Sequence, residues 1–91
     1  MSKKADKVIQ SVIVKKKYAP QLNTALAWVQ SLHLKTDSID EKVNTWRFRQ
    51  HDPSFFLKNS FKMYHIGHGI MAAVATPKKG VFAGLPVQEL R

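Results

Sequence analysis

The feature that most constrains this chain is a short alternation of aromatic and cationic side chains near its middle, Trp46-Arg47-Phe48-Arg49. Successive side chains of a β-strand point to opposite faces of the sheet. The two aromatic rings therefore belong on one face and the two guanidinium groups on the other. The pattern predicts a strand over residues 45–50 that is covered on its aromatic face and charged on its opposite face.

The residues before this strand predict a second strand and a helix. Residues 8–17 are rich in β-branched side chains, which favour strands. From Pro20 onwards apolar residues recur at intervals of three and four, which predicts an amphipathic helix over about residues 20–33. The polar segment 35–44 is expected to be a loop or an irregular edge strand.

The residues after the central strand predict a hairpin. Residues 60–66 alternate again, residues 70–76 form an apolar run, and a short glycine-bearing connection joins them. A short helix is the alternative for the alanine-rich second run, because alanine is a strong helix former. Phe55 and Phe56 are expected to close the core, with at least one of the two rings largely inaccessible. An exposed anchor for another protein is the alternative.

Together these elements predict an α+β domain with the order β-α-β-β-β, in which one helix packs on one face of a mainly antiparallel sheet. A chain of 91 residues has room for a single small core. We expect the domain over residues 8–77, a flexible basic tail at 1–7 and a C-terminal arm or tail at 78–91. The sequence does not determine the strand order.

Charge indicates the class of partner. Lys and Arg number 15 against 6 Asp and Glu, a formal net charge of +9. Such an excess favours nucleic acid or an acidic protein surface. No apolar run approaches the roughly 20 residues that cross a bilayer. We therefore expect no membrane association and a location in the host cytoplasm or inside a virion.

Enzymatic and metal chemistry are not predicted. The chain has no cysteine, which excludes disulfides, thiolate metal sites and thiol nucleophiles. Zinc needs three or four converging ligands, and nothing in the sequence brings the four histidines together. Nucleophilic catalysis needs a hydroxyl group with a base and an orienting acid, and no spacing indicates such a set. We predict no catalytic residue, no metal and no cofactor.

The charged face of the sheet is the predicted functional surface. We expect the helix to cover Trp46 and Phe48, and to cover Phe61 and Met63 of the hairpin on the same face. The opposite face is then predicted to bind nucleic acid through Lys15, Lys17, Arg47, Arg49, Lys62 and Tyr64. Arginine suits this role because its planar guanidinium pairs bidentately with phosphate, and an aromatic ring can stack on a base. A solvated outer face without a ligand is the alternative.

Five motifs occur in a fixed order: Ala27-Trp28, Trp46-Arg47-Phe48-Arg49-Gln50, Asp52-Pro53, Ser60-Phe61 and Gly67-His68-Gly69-Ile70. Together they resemble a small domain that recurs in tailed-bacteriophage and prophage proteins. The resemblance covers about residues 8–80. It departs at Lys62, where that domain usually has Arg, and at Ala75, where it commonly has Gly. It implies a viral or mobile-element origin and supplies no active site.

The leading prediction is thus a small, basic, non-enzymatic phage-type accessory protein that binds the phosphate backbone of nucleic acid. The competing prediction is a protein-interaction module, either a virion component or an inhibitor of a host protein. That module would use Phe55, Phe56 and the C-terminal arm as its contact. The sequence does not distinguish DNA from RNA, and it leaves the oligomeric state open.

Overall fold

The computed structural model describes residues 7–80, which form one α+β domain. Its elements are β1 (Val8–Lys15), α1 (Leu22–Ser31), β2 (Ile39–Glu41), β3 (Thr45–Arg49), a 3₁₀ turn (Pro53–Phe55), β4 (Lys62–Gly67) and β5 (Ile70–Ala75). The strands form one antiparallel sheet in the order β2-β3-β1-β5-β4. The predicted α+β class is confirmed, and the short β2 adds a strand to the predicted set. Apart from residues 7 and 78–80, the predicted terminal segments lie outside the described residues.

Strand β1 is the centre of the sheet and pairs with both β3 and β5. Its β-branched residues suit this position, because such side chains pack well on a pleated surface. Val12 and Val14 are fully buried on the helix side, and Ser11 and Ile13 are buried on the other side. A β-bulge between Ile9 and Ser11 shifts the register against β5.

Helix α1 covers one face of the sheet with the side chains of Ala25 and Val29, which are fully buried. Trp46 contributes to the same core, and its indole Nε1–H donates to the Ala19 carbonyl at 2.9 Å. Trp28 is partly buried and packs against this core. The helix is two residues shorter at each end than the predicted 20–33.

The helix ends in a Schellman motif centred on His33. The His33 N–H donates to the Gln30 carbonyl at 2.9 Å, and the Leu34 N–H donates to the Val29 carbonyl at 3.4 Å. His33 has a φ of 61°, in the left-handed region that favours glycine. Leu34 packs against the core, which is the apolar contact that accompanies this motif.

The predicted hairpin is confirmed as β4 and β5, and the alternative of a helix over residues 71–75 is wrong. The chain turns at His68 and Gly69, and Gly69 has a φ of 74°. A Cβ at Gly69 would lie 2.6 Å from Cδ2 of Tyr18. Glycine is therefore required there both by the backbone conformation and by the close approach of the tyrosine ring.

Phe56 closes a second small core on the face away from the helix. Its side chain is 2% exposed and clusters with Val8 and Ala75. Phe55 is 39% exposed. The prediction that at least one of these rings closes the core is confirmed for Phe56. A role as an exposed anchor is therefore wrong for Phe56.

The main core predicts a large cost for truncating Phe48, which is fully buried. We expect Phe48→Ala to lower the free energy of unfolding by about 3–5 kcal/mol, because the substitution removes buried apolar surface and leaves a cavity. Urea denaturation measures this loss. The matched control is Phe55→Ala, the same change at a half-exposed ring, which should cost less than half as much. Equal losses would contradict the assignment of the core.

The Schellman motif predicts a gain from His33→Gly. Glycine relieves the strain of the left-handed conformation but adds unfolded-state entropy, so we expect the free energy of unfolding to rise by roughly 0.5–1 kcal/mol. The control is His33→Ala, which keeps the Cβ and should bring no gain. A glycine variant that melts at a lower temperature than the alanine variant would show that His33 is not strained.

Candidate nucleic-acid interface

Arg47 and Arg49 lie side by side on the face of β3 that points away from the helix. In the register with β1, Arg47 pairs with Ile13 and Arg49 pairs with Ser11. Alternate residues of one strand are about 7 Å apart. The predicted burial of the aromatic rings on the opposite face is confirmed, since Trp46 is 8% exposed and Phe48 is fully buried.

The two arginines line an open groove of about 290 Å³. Its polar lining consists of Gln10, Ser38, Asp40, Lys42, Arg47 and Arg49. We call this feature the arginine groove. Strands β1 and β3 and the region around β2 all contribute to it, so the sheet itself fixes the spacing of its cationic groups.

A buried glutamine holds Arg47 in place. The Arg47 Nη2–H donates to Oε1 of Gln10 at 3.3 Å, and Nε2 of Gln10 donates to the His51 carbonyl at 2.9 Å. Gln10 is only 1% exposed, and it lies at the bulge of β1. Gln10 is a functional candidate that the sequence analysis missed, and the one signal available was a polar residue within an apolar β-branched run.

The acidic residues near the groove have lysine partners. Asp40 forms an ion pair with Lys42 at 3.1 Å, and Glu41 forms one with Lys16 at 2.6 Å. Within residues 7–80, neither arginine of the groove lies within 4 Å of a carboxylate oxygen. The two guanidinium groups therefore keep hydrogen-bond donors available for a ligand.

Asp52 lies beyond the end of β3 and caps the 3₁₀ turn. Hydrogen bonds from Ser54 lower the pKa of the Asp52 carboxyl, and the positive charge of Arg49 adds a smaller decrease. The cap itself is the hydrogen bond that the Ser54 N–H donates to Oδ1 of Asp52 at 2.9 Å.

A group of lysines extends the basic surface to the other end of β3. Lys15, Lys16 and Lys17 line a second open cavity of about 510 Å³ together with Asn44 and Thr45. Lys15 pairs with Thr45 and lies on the same face as the arginines. Lys16 contacts the Trp46 ring, its Nζ lying 4.5 Å from the ring centroid, whereas Lys17 is exposed in the turn after β1.

The structure separates Lys62 and Tyr64 from the other predicted binding residues. Tyr64 pairs with Ala72, and Ala72 pairs with Val12, which lies under the helix. Lys62 is two residues from Tyr64 and therefore lies on the same side of the sheet as the helix. The prediction that all six residues share one face is wrong for these two positions.

The same register corrects the predicted placement of Phe61 and Met63. Met63 pairs with Ala73 and so lies on the face away from the helix. Phe61 is 38% exposed and Met63 is 50% exposed. The prediction that the helix covers them is wrong, because α1 packs over β1 and β3 and β4 is the far edge of the sheet.

The face of the sheet away from the helix is also less exposed to solvent than expected. Ser11 is fully buried, Ala73 is 3% exposed and Ile13 is 8% exposed, although all three lie on the face away from the helix. The exposed cationic side chains are therefore at the margin of that face. The candidate interface is the arginine groove with Lys15 and Lys17, and not the whole sheet surface.

The contacts of the two arginines predict different effects of truncation on stability. Arg47→Ala leaves the buried Gln10 carbonyl without its donor, so we expect the free energy of unfolding to fall by about 1–3 kcal/mol. Arg49 is exposed, and Arg49→Ala should stay within about 0.5 kcal/mol of the wild type. Urea denaturation of both variants tests this difference. A large loss in Arg49→Ala would mean that this arginine is structural.

Among residues 7–80, no three carboxylate or imidazole side chains are close enough to hold a metal ion, and no helix is long and apolar enough to cross a membrane. Comparison with family models, with curated proteins and with solved structures found no match to this chain. The resemblance to the phage domain therefore stays a prediction.

Proposed function

We propose that this protein binds nucleic acid without catalysing a reaction, and that the phosphate backbone crosses the arginine groove. The observation that supports this most directly is the pair of neighbouring arginines that lack a carboxylate partner within the described residues. Guanidinium groups pair bidentately with phosphate, and neutralising phosphates releases counterions that favour binding.

The lysines near Thr45, the first residue of β3, extend the basic surface along the strand, so a phosphate backbone can follow it. From Thr45 to Arg49 the strand spans about 13 Å, with Lys15 beside its first residue. A strand of nucleic acid that follows this direction meets Lys17 and Lys15 at one end and the arginine groove at the other. The net charge of +9 attracts a polyanion over a longer range.

The five sequence motifs, which follow one another as in the phage domain, support a more specific proposal. We infer that the protein is a viral accessory protein acting in the host cytoplasm or inside the virion, where nucleic acid is the most abundant polyanion. The competing role as a protein-interaction module that uses both Phe55 and Phe56 as protruding anchors has less support, because the Phe56 side chain is 2% exposed and cannot insert into a partner.

Salt-dependent binding tests the proposal. The probe is a fluorescein-labelled single strand of about 20 nucleotides, followed by fluorescence anisotropy between about 50 and 200 mM salt. We expect Arg49→Ala to weaken binding and to reduce the slope of log affinity against log salt by about one, since one phosphate contact is lost. Adding Arg47→Ala should reduce the slope by about one more.

A matched control distinguishes the groove from total charge. Lys62→Ala with Lys79→Ala also removes two positive charges, from exposed positions that do not line the groove. This variant should keep most of the affinity and slope. An equal loss in both double variants would show that net charge alone drives binding. Wild-type protein with no salt-dependent affinity for single-stranded or duplex DNA or RNA would overturn the proposal.

A further inference from the structure

Strand β4 is an edge strand whose side chains are exposed on both faces. All six of its residues are exposed, including Met63 at 50%, Tyr64 at 47% and Ile66 at 39%. One side of β4 pairs with β5, and no described strand pairs with the other side. The backbone N–H and C=O groups of alternate residues therefore face outwards, as in any edge strand.

The strand has little of the protection that proteins usually give to an exposed edge. Such edges are blunted by charged side chains, especially lysine, by proline, by bulges or by being very short. Strand β4 contains no proline, has one formally charged residue at its start, Lys62, and is irregular only near its end, between His65 and Gly67. The segment 62–65 can thus accept another strand.

An apolar groove lies next to the start of β4. It measures about 300 Å³ and is formed by Phe56 and Phe61, with Lys58 and Lys78 among its lining residues. The two rings contact each other, with centroids 5.8 Å apart. Phe61 directly precedes β4, so the groove lies next to the start of this strand. The groove can hold one apolar side chain, and its lysines favour carboxylates nearby.

The charge around β4 indicates the chemistry of the partner. Lys58, Lys62 and Lys78 lie on or near this edge, whereas Asp37, Asp40 and Glu41 lie on or beside β2 at the opposite edge. The remaining described carboxylate, Asp52, accepts a hydrogen bond from the Ser54 N–H. The β4 edge is therefore basic and apolar, and an acidic and apolar segment is complementary to it.

We propose that the β4 edge binds an extended acidic segment of another protein, which adds to the sheet as a further strand. The backbone of that segment pairs with β4, its carboxylates on the helix side face Lys62, and an apolar side chain on the opposite face enters the Phe56–Phe61 groove. A second copy of this chain is less complementary, because it carries a net charge of +9 and would place another Lys62 at the edge. The proposal does not depend on the proposed function. Strands β1 and β5 lie between β4 and the arginines of β3, and Pro53 lines both the arginine groove and the apolar groove.

The test uses a fluorescein-labelled octapeptide in which glutamate alternates with valine and phenylalanine, titrated with the complete chain and followed by fluorescence anisotropy. We expect saturable binding. The same peptide methylated on alternate backbone nitrogens cannot form the ladder and should bind about tenfold more weakly or worse. A version with lysine in place of glutamate should not bind. Equal binding of the unmodified and methylated peptides would overturn strand addition.

A charge-reversal pair locates the site on the protein. Lys62→Glu should weaken peptide binding by about tenfold, whereas Lys35→Glu makes the same change at an exposed residue in the connection from α1 to β2 and should have little effect. Circular dichroism melting shows whether both variants are folded. If the two variants lose affinity equally, or if the peptide does not bind the wild type at all, the proposal fails.

Two other outcomes would assign the edge to a different occupant and overturn the proposal. Sedimentation velocity that shows a concentration-dependent dimer, lost in Met63→Lys, would assign the edge to a second copy of the chain. Oligonucleotide binding that is lost in Lys62→Glu, together with no peptide binding, would assign the lysines of this edge to nucleic acid. The proposal requires the peptide to bind the wild type and to lose affinity in Lys62→Glu, whether or not the protein also binds nucleic acid.

Discussion

The structure depends on the antiparallel pairing of β1 with its two neighbours. Strands β3 and β5 pair with β1 directly, and β2 and β4 join the sheet only through them. Val12 lies between Phe48 and Ala72 in this pairing, and all three are buried under the helix. Because the contacts of β1 are far apart in sequence, the sheet and the helix-covered core should form together and not piece by piece.

The bulge in β1 connects this core to the candidate site. A buried polar side chain costs free energy unless it is hydrogen-bonded, and the Gln10 amide finds its partners in the His51 carbonyl and in Arg47. The same bonds join β1 to the residues after β3 and hold the guanidinium group at the groove. The Gln10 side chain therefore contributes both to the stability of the fold and to the geometry of the arginine groove.

A second buried glutamine plays a similar part on the helix side. The Gln50 side chain accepts from the Lys35 N–H at 2.8 Å and donates to the Lys35 carbonyl at 2.9 Å. It therefore substitutes for a backbone partner and holds the connection between α1 and β2 against the end of β3. This connection leads to one side of the arginine groove, so the groove is held on both sides by buried amides.

Much of the fold could be predicted because its signals are local. The alternation around Trp46, the spacing of apolar residues in α1 and the glycine-bearing hairpin each depend on neighbours in sequence. The face of the sheet on which each β4 side chain lies could not be predicted in the same way. Alternation shows which residues share a face but not which face meets the helix, and β4 carries apolar residues at both parities.

In the candidate site, too, local sequence patterns identified some residues, and contacts between distant strands determine the others. Arg47 and Arg49 could be identified because they alternate with aromatic residues on one strand. Gln10 could not be assigned to the site, because its contact with Arg47 depends on the pairing of two strands and on a bulge. Strand β2 is three residues long and exposed, so pairing with β3 and not its own sequence defines it.

The order of the strands also determines how the two proposed surfaces relate to each other. Strand β3, which carries the arginines, is separated from β4 by β1 and β5. Three interstrand spacings correspond to about 14 Å, and an added strand would pair on the outer side of β4, farther still from the groove. A phosphate backbone in the arginine groove and a strand added to β4 therefore lie on opposite sides of β1, and the two sites approach each other at Pro53, which lines both the arginine groove and the apolar groove. The buried strand β1 supports both surfaces through its pairing with β3 and β5.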